Sequence, residues 1–179
     1  AAKQSAVESA ILLQNNNDVL PLKSAKRILV TGPMADAPYD QLGTWAFDGE
    51  EAYTVTPLTA LRKDYEVVYE PALAYSRDAS TAGIPAAVAA ARSVDAVVAF
   101  VGEEAILSGE AHSLSQINLQ GAQSELIAAM KATGKPVVVV VIAGRPLTIE
   151  RDLQNCDAML YSFHPGTMGG EAIADLLAG

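Results

Sequence analysis

The stretch Pro136-Val-Val-Val-Val-Val-Ile-Ala143 is the most β-branched part of the chain and contains no charged residue. β-Branched residues favour extended strands, and a strand that is apolar on both faces is buried on both faces. A second stretch, Asp95-Ala-Val-Val-Ala-Phe-Val-Gly102, has the same character after its first residue. Strands of this kind are typical of a parallel sheet that is covered by helices on both sides.

Strand-like runs and helical spacing alternate on either side of these two stretches. The predicted strands cover 27–33, 66–70, 95–102, 136–143 and 158–163. The predicted helices cover 1–14, 56–64, 84–93, 120–133, 147–155 and 170–178. We therefore predict a doubly wound α/β sandwich of the flavodoxin-like type, formed by residues 1–179 as one domain. Its sheet should be mostly parallel, with about five to six strands and with helices on both faces.

The composition limits the classes of function that the chain can have. Of 179 residues, 50% are hydrophobic, one is cysteine, and the formal net charge is −9. An acidic chain without clustered Lys and Arg is not expected to bind nucleic acid or an anionic membrane surface. Cys156 has no partner for an internal disulfide and is predicted to pack in the core. The longest apolar run, 137–143, is far shorter than the roughly 20 residues that cross a bilayer.

Two connections of the predicted sheet are much longer than the roughly 2 to 6 residues that are usual in such folds. The first covers 34–55 and includes Gly43-Thr44-Trp45, which holds the only tryptophan. The second covers 103–119, and its candidate functional residues are Glu103, Glu104, Glu110 and His112. Both loops follow parallel strands, so both should emerge at the carboxyl edge of the sheet, where ligands bind in open α/β sheets.

Phosphate-binding and metal-binding motifs are absent from the sequence. Thr31-Gly32-Pro33-Met34 lacks the free N–H groups of a G-x-G-x-x-G turn, and no G-x-x-x-x-G-K-[ST] occurs. No G-x-S-x-G elbow is present, which excludes an α/β-hydrolase. His112 and His164 do not have the H-E-x-x-H spacing of a zinc site. We predict neither a cofactor nor a metal.

Carboxylates on one long loop and a tryptophan on the other suit sugar chemistry. Aromatic faces stack on the apolar face of a pyranose, and a glycosidic oxygen leaves readily only when a carboxylic acid protonates it. Such a Glu needs a raised pKa, which burial or a neighbouring carboxylate supplies. The alternative from the residues alone is that Glu103, Glu104 and Glu110 are solvated charges on an acidic surface.

Motifs spread over nearly the whole chain resemble one known family. The segment Ser108-Gly-Glu-Ala-His112, with Ile117-Asn-Leu119 and Gln123-Ser-Glu-Leu-Ile127 after it, resembles the C-terminal α/β sandwich domain of glycoside hydrolase family 3, in particular the periplasmic-type β-glucosidases of bacteria. The other matching segments follow in the family's order: 8–15 with Val19-Leu-Pro-Leu22, Val30–Asp36, Gly43–Trp45, Thr133–Pro136, Gly144–Leu147 and Pro165–Asp175.

The resemblance implies a role in a retaining β-glycosidase. Members of the family pair this domain with an N-terminal (β/α)8 barrel, which carries the nucleophilic Asp, and the active site lies between the two. By its motif, Glu110 matches the general acid/base. Because the nucleophile lies on the barrel, we expect the chain to be inactive without it. The substrate would be a β-linked glucoside or oligosaccharide. The resemblance also suggests a periplasmic or secreted location, and the ends of the sequence suggest a piece of a longer protein.

Other residues receive roles from the same resemblance. Trp45, His164 and His112 are candidates for substrate binding, with packing of its own loop as the alternative for Trp45. Glu103 and Arg145 are expected to hold the site in place without touching substrate, Arg145 by tying a loop or the start of a helix. One departure is that relatives often have an Arg and an Asp shortly after the catalytic Glu, in a pattern like S-R-T-D. Here the corresponding stretch is Ser113-Leu-Ser-Gln116, which puts the usual conformation or docking of this loop in question.

Two other functions are considered beside the enzyme hypothesis. One is a non-catalytic carbohydrate-binding or interaction module that kept the fold. The other is a nucleotide- or flavin-binding doubly wound protein, which predicts a phosphate loop after the first strand that this sequence lacks.

Overall fold

A six-stranded sheet forms the centre of the protein in the computed structural model, which describes all of residues 1–179. Its strands are β1 (Ile11–Asn15), β2 (Arg27–Thr31), β3 (Glu66–Tyr69), β4 (Ala96–Gly102), β5 (Val137–Ile142) and β6 (Ala158–Tyr161). The helices are α1 (Ala2–Ser9), α2 (Pro38–Leu42), α3 (Pro57–Leu61), α4 (Ile84–Ala91), α5 (Gln123–Lys131), α6 (Glu150–Leu153) and α7 (Gly169–Ala178).

The strands lie in the order β1-β6-β5-β4-β2-β3. Strands β2 to β6 are parallel, and only β1 is antiparallel, at the edge beside β6. The parallel part has the flavodoxin-like order, in which the chain first extends the sheet to one side and then to the other. The predicted fold class is therefore confirmed, and the order reverses between β2 and β4.

Alternate residues of the central strands supply two apolar cores, one on each face of the sheet. On β5, Val137, Val139 and Val141 enter one core, and Val138, Val140 and Ile142 enter the other. Helices α4 and α5 cover the first face, while α3 and α7 cover the second. All six residues of β5 are fully buried, which explains why the strand has no polar position.

The prediction of a helix over residues 1–14 is wrong in its second half. Helix α1 ends at Ser9, Ala10 is extended, and Ile11–Asn15 pairs antiparallel with β6. The apolar residues at positions 10, 11 and 13 fit a helical period, but pairing satisfies the backbone groups of the otherwise open edge of β6. This long-range gain outweighs the local preference, and Gln14 adds donations to the carbonyls of Leu153 and Cys156 at 3.0 and 2.9 Å.

Most other predicted elements exist, with shorter bounds. The predicted helix over 147–155 is reduced to the single turn Glu150–Leu153, and the strand predicted to end at Phe163 ends at Tyr161. Cys156 is buried, as predicted. None of the helices is both long and apolar enough to span a bilayer.

Candidate active site

The two long loops meet at the carboxyl edge of the sheet, on the two strands where the strand order reverses. The loop after β2 (residues 34–55, the aromatic loop) contains α2, and the loop after β4 (residues 103–119, the acid loop) begins with a turn at Ala105–Leu107. The Ala105 N–H donates to Asp40 Oδ1 at 2.8 Å, which ties α2 to this turn. The two long loops noted in the sequence therefore meet at the edge of the sheet where doubly wound folds bind ligands.

Glu110 lies at the tip of the acid loop and is exposed. Its neighbours Gly109 and Ala111 both have positive φ, +107° and +63°, so the backbone turns sharply on both sides of it. A side chain at position 109 would be strained there, and its Cβ would also lie 2.6 Å from the Thr44 methyl group. None of the ion pairs of the chain involves Glu110, which leaves its carboxylate free for an external partner.

Glu103 forms a buried ion pair below the acid loop. Its side chain is 1% exposed, and Oε2 accepts a hydrogen bond from Arg145 Nε at 3.1 Å. Burial raises the pKa of Glu103, and the positive charge of Arg145 opposes this rise. The Oε1 atom is buried without a hydrogen-bond partner. Glu103 is thus committed to the interior and does not face the open edge.

Arg145 connects this ion pair to the acid loop. Its guanidinium donates to the carbonyl oxygen of Leu107 and, at 3.1 Å, to that of His112. These two carbonyls lie on either side of Glu110 in sequence, so one side chain fixes both ends of the turn. Tyr161 holds the Arg145 segment in turn, because its hydroxyl donates to the Arg145 carbonyl and accepts from the Leu147 N–H.

Glu104 is held by a different arginine. Arg77 Nε and Nη2 donate to its two carboxylate oxygens at 3.1 Å each, and the Ser76 hydroxyl donates at 2.7 Å. The hydrogen bond from Arg77 is the main reason that the pKa of Glu104 is lowered. A carboxylate that is held as an anion by two hydrogen bonds from an arginine is unsuited to donate a proton, so Glu104 is the weaker candidate for an acid.

His164 is half-buried and lies beside Gly43 of the aromatic loop and Gly144, which follows β5. A Cβ at Gly43 would lie 2.2 Å from His164 Nδ1, and one at Gly144 would lie 2.6 Å from Cε1, so both glycines make room for the ring. Burial lowers the pKa of His164, and Nε2 is buried without a partner. The ring is therefore packed against the backbone at Gly43 and Gly144. The His112 side chain is exposed at the turn beside Glu110.

Trp45 and Phe47 form an exposed aromatic pair on the aromatic loop. The two residues are 60% and 84% exposed, and their ring centroids lie 6.1 Å apart at an edge-to-face angle of 76°. The Trp45 Cζ2 atom would lie 3.7 Å from a Cβ at Gly109, so the indole lies beside the turn of residues Gly109–His112, called the acid turn below. An exposed pair of aromatic residues beside this turn is a candidate surface for a ligand or another domain.

Thr44 and Ser108 belong to this site although the sequence analysis gave them no role. Thr44 Oγ1 lies 2.9 Å from the Ser108 carbonyl oxygen and 3.1 Å from Ser108 Oγ, and it also contacts the Ala105 carbonyl. Their positions within the G-T-W and S-G-E segments were the available signal. A single loop hydroxyl carries no periodicity or spacing that would mark it in advance.

The site has no cluster that could bind a metal, and the stretch after Glu110 contributes no charged side chain to it. No three His, Cys, Asp or Glu side chains converge in a way that could hold a metal ion. Leu114 is partly buried and Gln116 is exposed. The acid loop instead takes its contacts from Arg145 and Thr44, and from the N–H of Thr148, which donates to the Ile117 carbonyl at 2.7 Å.

Comparisons with known proteins identify one family of glycoside hydrolases. The family model described as glycosyl hydrolase family 3 C-terminal domain matches residues 10–179. The chain is 37% identical to the periplasmic β-glucosidase of Salmonella typhimurium, over 99% of this chain and 26% of that protein. A β-xylosidase of Formosa agariphila is 34% identical, with 99% and 26% covered.

Solved structures lead to the same group. The β-glucosidase of Listeria innocua in complex with isofagomine superposes with a TM-score of 0.94 and 38% identity. The match covers 99% of this chain and 25% of that protein. The chain thus spans about a quarter of the length of the relatives that it matches.

Proposed function

Because the chain belongs to the glycosyl hydrolase family 3 C-terminal domain family, we propose that it supplies the general acid/base of a retaining β-glycosidase, and that Glu110 is this residue. One observation carries the proposal. Of the three glutamates on the acid loop, Glu103 and Glu104 are each bound by an arginine, whereas Glu110 is exposed and outside every ion pair. Only Glu110 is therefore free to meet a substrate.

The first chemical step breaks the glycosidic bond. Protonated Glu110 gives its proton to the glycosidic oxygen while a carboxylate of the second domain bonds to the anomeric carbon and the alcohol leaves. The second step reverses the roles. Anionic Glu110 takes a proton from water, the water oxygen bonds to the anomeric carbon, and the bond to the second carboxylate breaks.

The nucleophile of this mechanism lies on an N-terminal (β/α)8 barrel in the proposed enzyme. A retaining mechanism needs two carboxyl groups about 5 to 5.5 Å apart. Docking of the barrel on the carboxyl edge would provide the nucleophilic Asp and would bury Glu110, as a general acid requires. The chain by itself is accordingly inactive, and its short coverage of longer relatives is consistent with this division.

Residues around Glu110 have two kinds of proposed role. Trp45 offers its exposed ring to a sugar, and the exposed His112 and the half-buried His164 are the other side chains assigned to substrate binding. Glu103 and Arg145 hold the acid loop without touching substrate, through the guanidinium contacts on both sides of Glu110. The substrate class is a β-linked glucoside or oligosaccharide, supported by the β-glucosidases among the similar proteins. The similarity to a periplasmic protein supports a periplasmic or secreted location.

A chimaeric enzyme tests the acid assignment. In it, this chain replaces the matching quarter of the Listeria innocua β-glucosidase, and Glu110→Gln is compared with the parent chimaera. Alkyl β-glucosides need protonation of the leaving oxygen, whereas 2,4-dinitrophenyl β-glucoside does not. We expect the formation of the glycosyl-enzyme to slow about 10²- to 10⁴-fold for the former and little for the latter. Equal slowing of both substrates would assign Glu110 a purely structural role.

A non-catalytic sugar-binding module is the second candidate. The observation that favours it is the exposed Trp45–Phe47 pair, which could bind a saccharide without any chemistry. The two candidates differ in what Glu110→Gln does. If the chain is only a binding module, the isolated Glu110→Gln chain keeps its affinity for oligosaccharides. In that case the chimaera with the native chain folds but hydrolyses no glycoside.

A further inference from the structure

We infer that Thr44 is a positioning residue for Glu110, and that its hydroxyl group sets the geometry of the acid turn from the neighbouring loop. This inference rests on the proposed function of Glu110 and adds a residue that no motif assigned. It starts from the fact that the acid turn is held at three places, two by Arg145 and one by Thr44.

The hydroxyl of Thr44 reaches the residues that lead directly into the turn. Thr44 Oγ1 lies within hydrogen-bond distance of the carbonyl of Ser108, two residues before Glu110, and of the Ala105 carbonyl. With one proton, it donates to one of these carbonyls at a time, while the Ser108 hydroxyl can donate to Thr44 Oγ1 at 3.1 Å. Ser108 is buried, so its hydroxyl and carbonyl have little access to water as an alternative partner.

The methyl group of Thr44 has a separate contact. It packs over Gly109, where a Cβ would lie 2.6 Å from Cγ2. The two branches of one side chain therefore touch the two residues before Glu110, the hydroxyl on Ser108 and the methyl on Gly109. Each branch can be removed without the other, because valine keeps the methyl and serine keeps the hydroxyl.

The contact also connects the acid to the aromatic ring beside it. Thr44 lies between Gly43, which makes room for His164, and Trp45, whose indole is next to the acid turn. A shift of the aromatic loop would thus move the ring and the anchor of Glu110 together. Since a misplacement of about 1 Å can cost about 10²-fold in rate, an anchor at this point is expected to affect catalysis strongly.

The test compares Thr44→Val and Thr44→Ser in the chimaeric enzyme. We expect Thr44→Val to lower kcat/KM, which reports the formation of the glycosyl-enzyme, about 10- to 100-fold for alkyl β-glucosides and to change kcat/KM for 2,4-dinitrophenyl β-glucoside much less. Thr44→Ser, which keeps the hydroxyl group, should retain most of the parent's rate. Thr54→Val is the matched control, because Thr54 lies on the same loop and its Oγ1 contacts only the Glu50 carbonyl at 3.5 Å.

Three results would overturn the inference. Thr44→Val as active as the parent would show that the hydroxyl is not needed. Equal losses of kcat/KM on both substrates, or a similar loss in Thr44→Ser, would show a general packing effect.

Hydrogen exchange separates this inference from the acid assignment. In the chain itself, we expect Thr44→Val, and neither Thr44→Ser nor Thr54→Val, to increase exchange at the amides of Ser108 and His112, which donate to the carbonyls of Ala105 and Gly109. If Glu110→Gln leaves the leaving-group dependence of the chimaera unchanged, or if the chimaera is inactive, this measurement decides for Thr44 alone. Unaltered exchange in Thr44→Val would then refute the anchor.

Discussion

Arg145 Nε lies 3.1 Å from the buried Oε2 atom of Glu103, and the same guanidinium holds the backbone on both sides of Glu110. The pair connects the end of β4 to the tip of the acid loop. Burying two charges costs desolvation free energy, and the attraction between them offsets this cost only while both partners are present. Its role is therefore best tested by removing one partner and then both.

Arg145→Met should destabilise the chain by about 3 kcal/mol, because Glu103 is 1% exposed and would keep a buried charge without a counterion. The value lies at the low end for buried pairs, since the Arg145 side chain is 22% exposed. Adding Glu103→Gln removes that charge and should restore a large part of the loss. Urea unfolding of the three chains measures both steps. A double variant no more stable than Arg145→Met would contradict this explanation.

His164 should make the protein lose stability as the solution becomes mildly acidic. Burial lowers the pKa of His164 below its usual value of 6.5, so the unfolded chain binds the proton first as the pH falls. Stability is therefore full above about pH 6.5 and falls below it with a slope of at most about 1.4 kcal/mol per pH unit, until the folded-state pKa is reached.

The two histidines of the chain provide a matched comparison for this prediction. His164→Gln should flatten the free energy of unfolding between pH 5 and 7, whereas His112→Gln, at an exposed position, should keep the wild-type slope. Denaturant unfolding at a series of pH values gives the slopes. The same flattening in both variants would show that the pH dependence does not come from burial of His164.

Cys156 should be unreactive in the folded protein. Its side chain is buried, and burial raises the pKa of the thiol to about 12, so almost no thiolate exists near pH 8. Labelling with a disulfide reagent at pH 8 should be slow in buffer and fast in 6 M guanidinium chloride. Equal rates in the two solvents would place this thiol at the surface.

Trp45 should contribute to sugar binding through its ring. In the chimaeric enzyme, Trp45→Ala should raise KM for a β-linked disaccharide about tenfold, as expected for the loss of about 1 to 2 kcal/mol of ring contact. Trp45→Phe keeps a flat ring and should retain much of the affinity. If both variants bind as the parent does, the exposed indole serves the domain interface or the loop instead.

The sequence determined the central fold because its strongest patterns have a single physical interpretation. Apolar runs such as Val137–Ile142 can be buried only between two layers of helices, and two loops of unusual length after β2 and β4 indicated the edge that carries the site. The S-G-E segment predicts Glu110 as the acid/base, and the structure places this residue at an exposed turn of the acid loop.

Features that depend on long-range contacts could not be predicted in the same way. Ile11–Asn15 reads as helix from its spacing and becomes a strand only because the edge of β6 is open. The contacts of Thr44 with Ser108 and of Arg145 with His112 join residues that are 64 and 33 positions apart. Such contacts depend on loop conformations that no local pattern specifies.

Rescue of Glu110→Ala by azide tests the central claim most directly. In the second step of the proposed mechanism, Glu110 acts as the base that activates water, and an anionic nucleophile needs no base. With 2,4-dinitrophenyl β-glucoside in the chimaeric enzyme, we expect Glu110→Ala to turn over slowly and azide to restore the rate, with β-glucosyl azide as the product. An unchanged rate and no glycosyl azide, from a variant that folds normally and is impaired, would contradict the assignment of Glu110 as the acid/base.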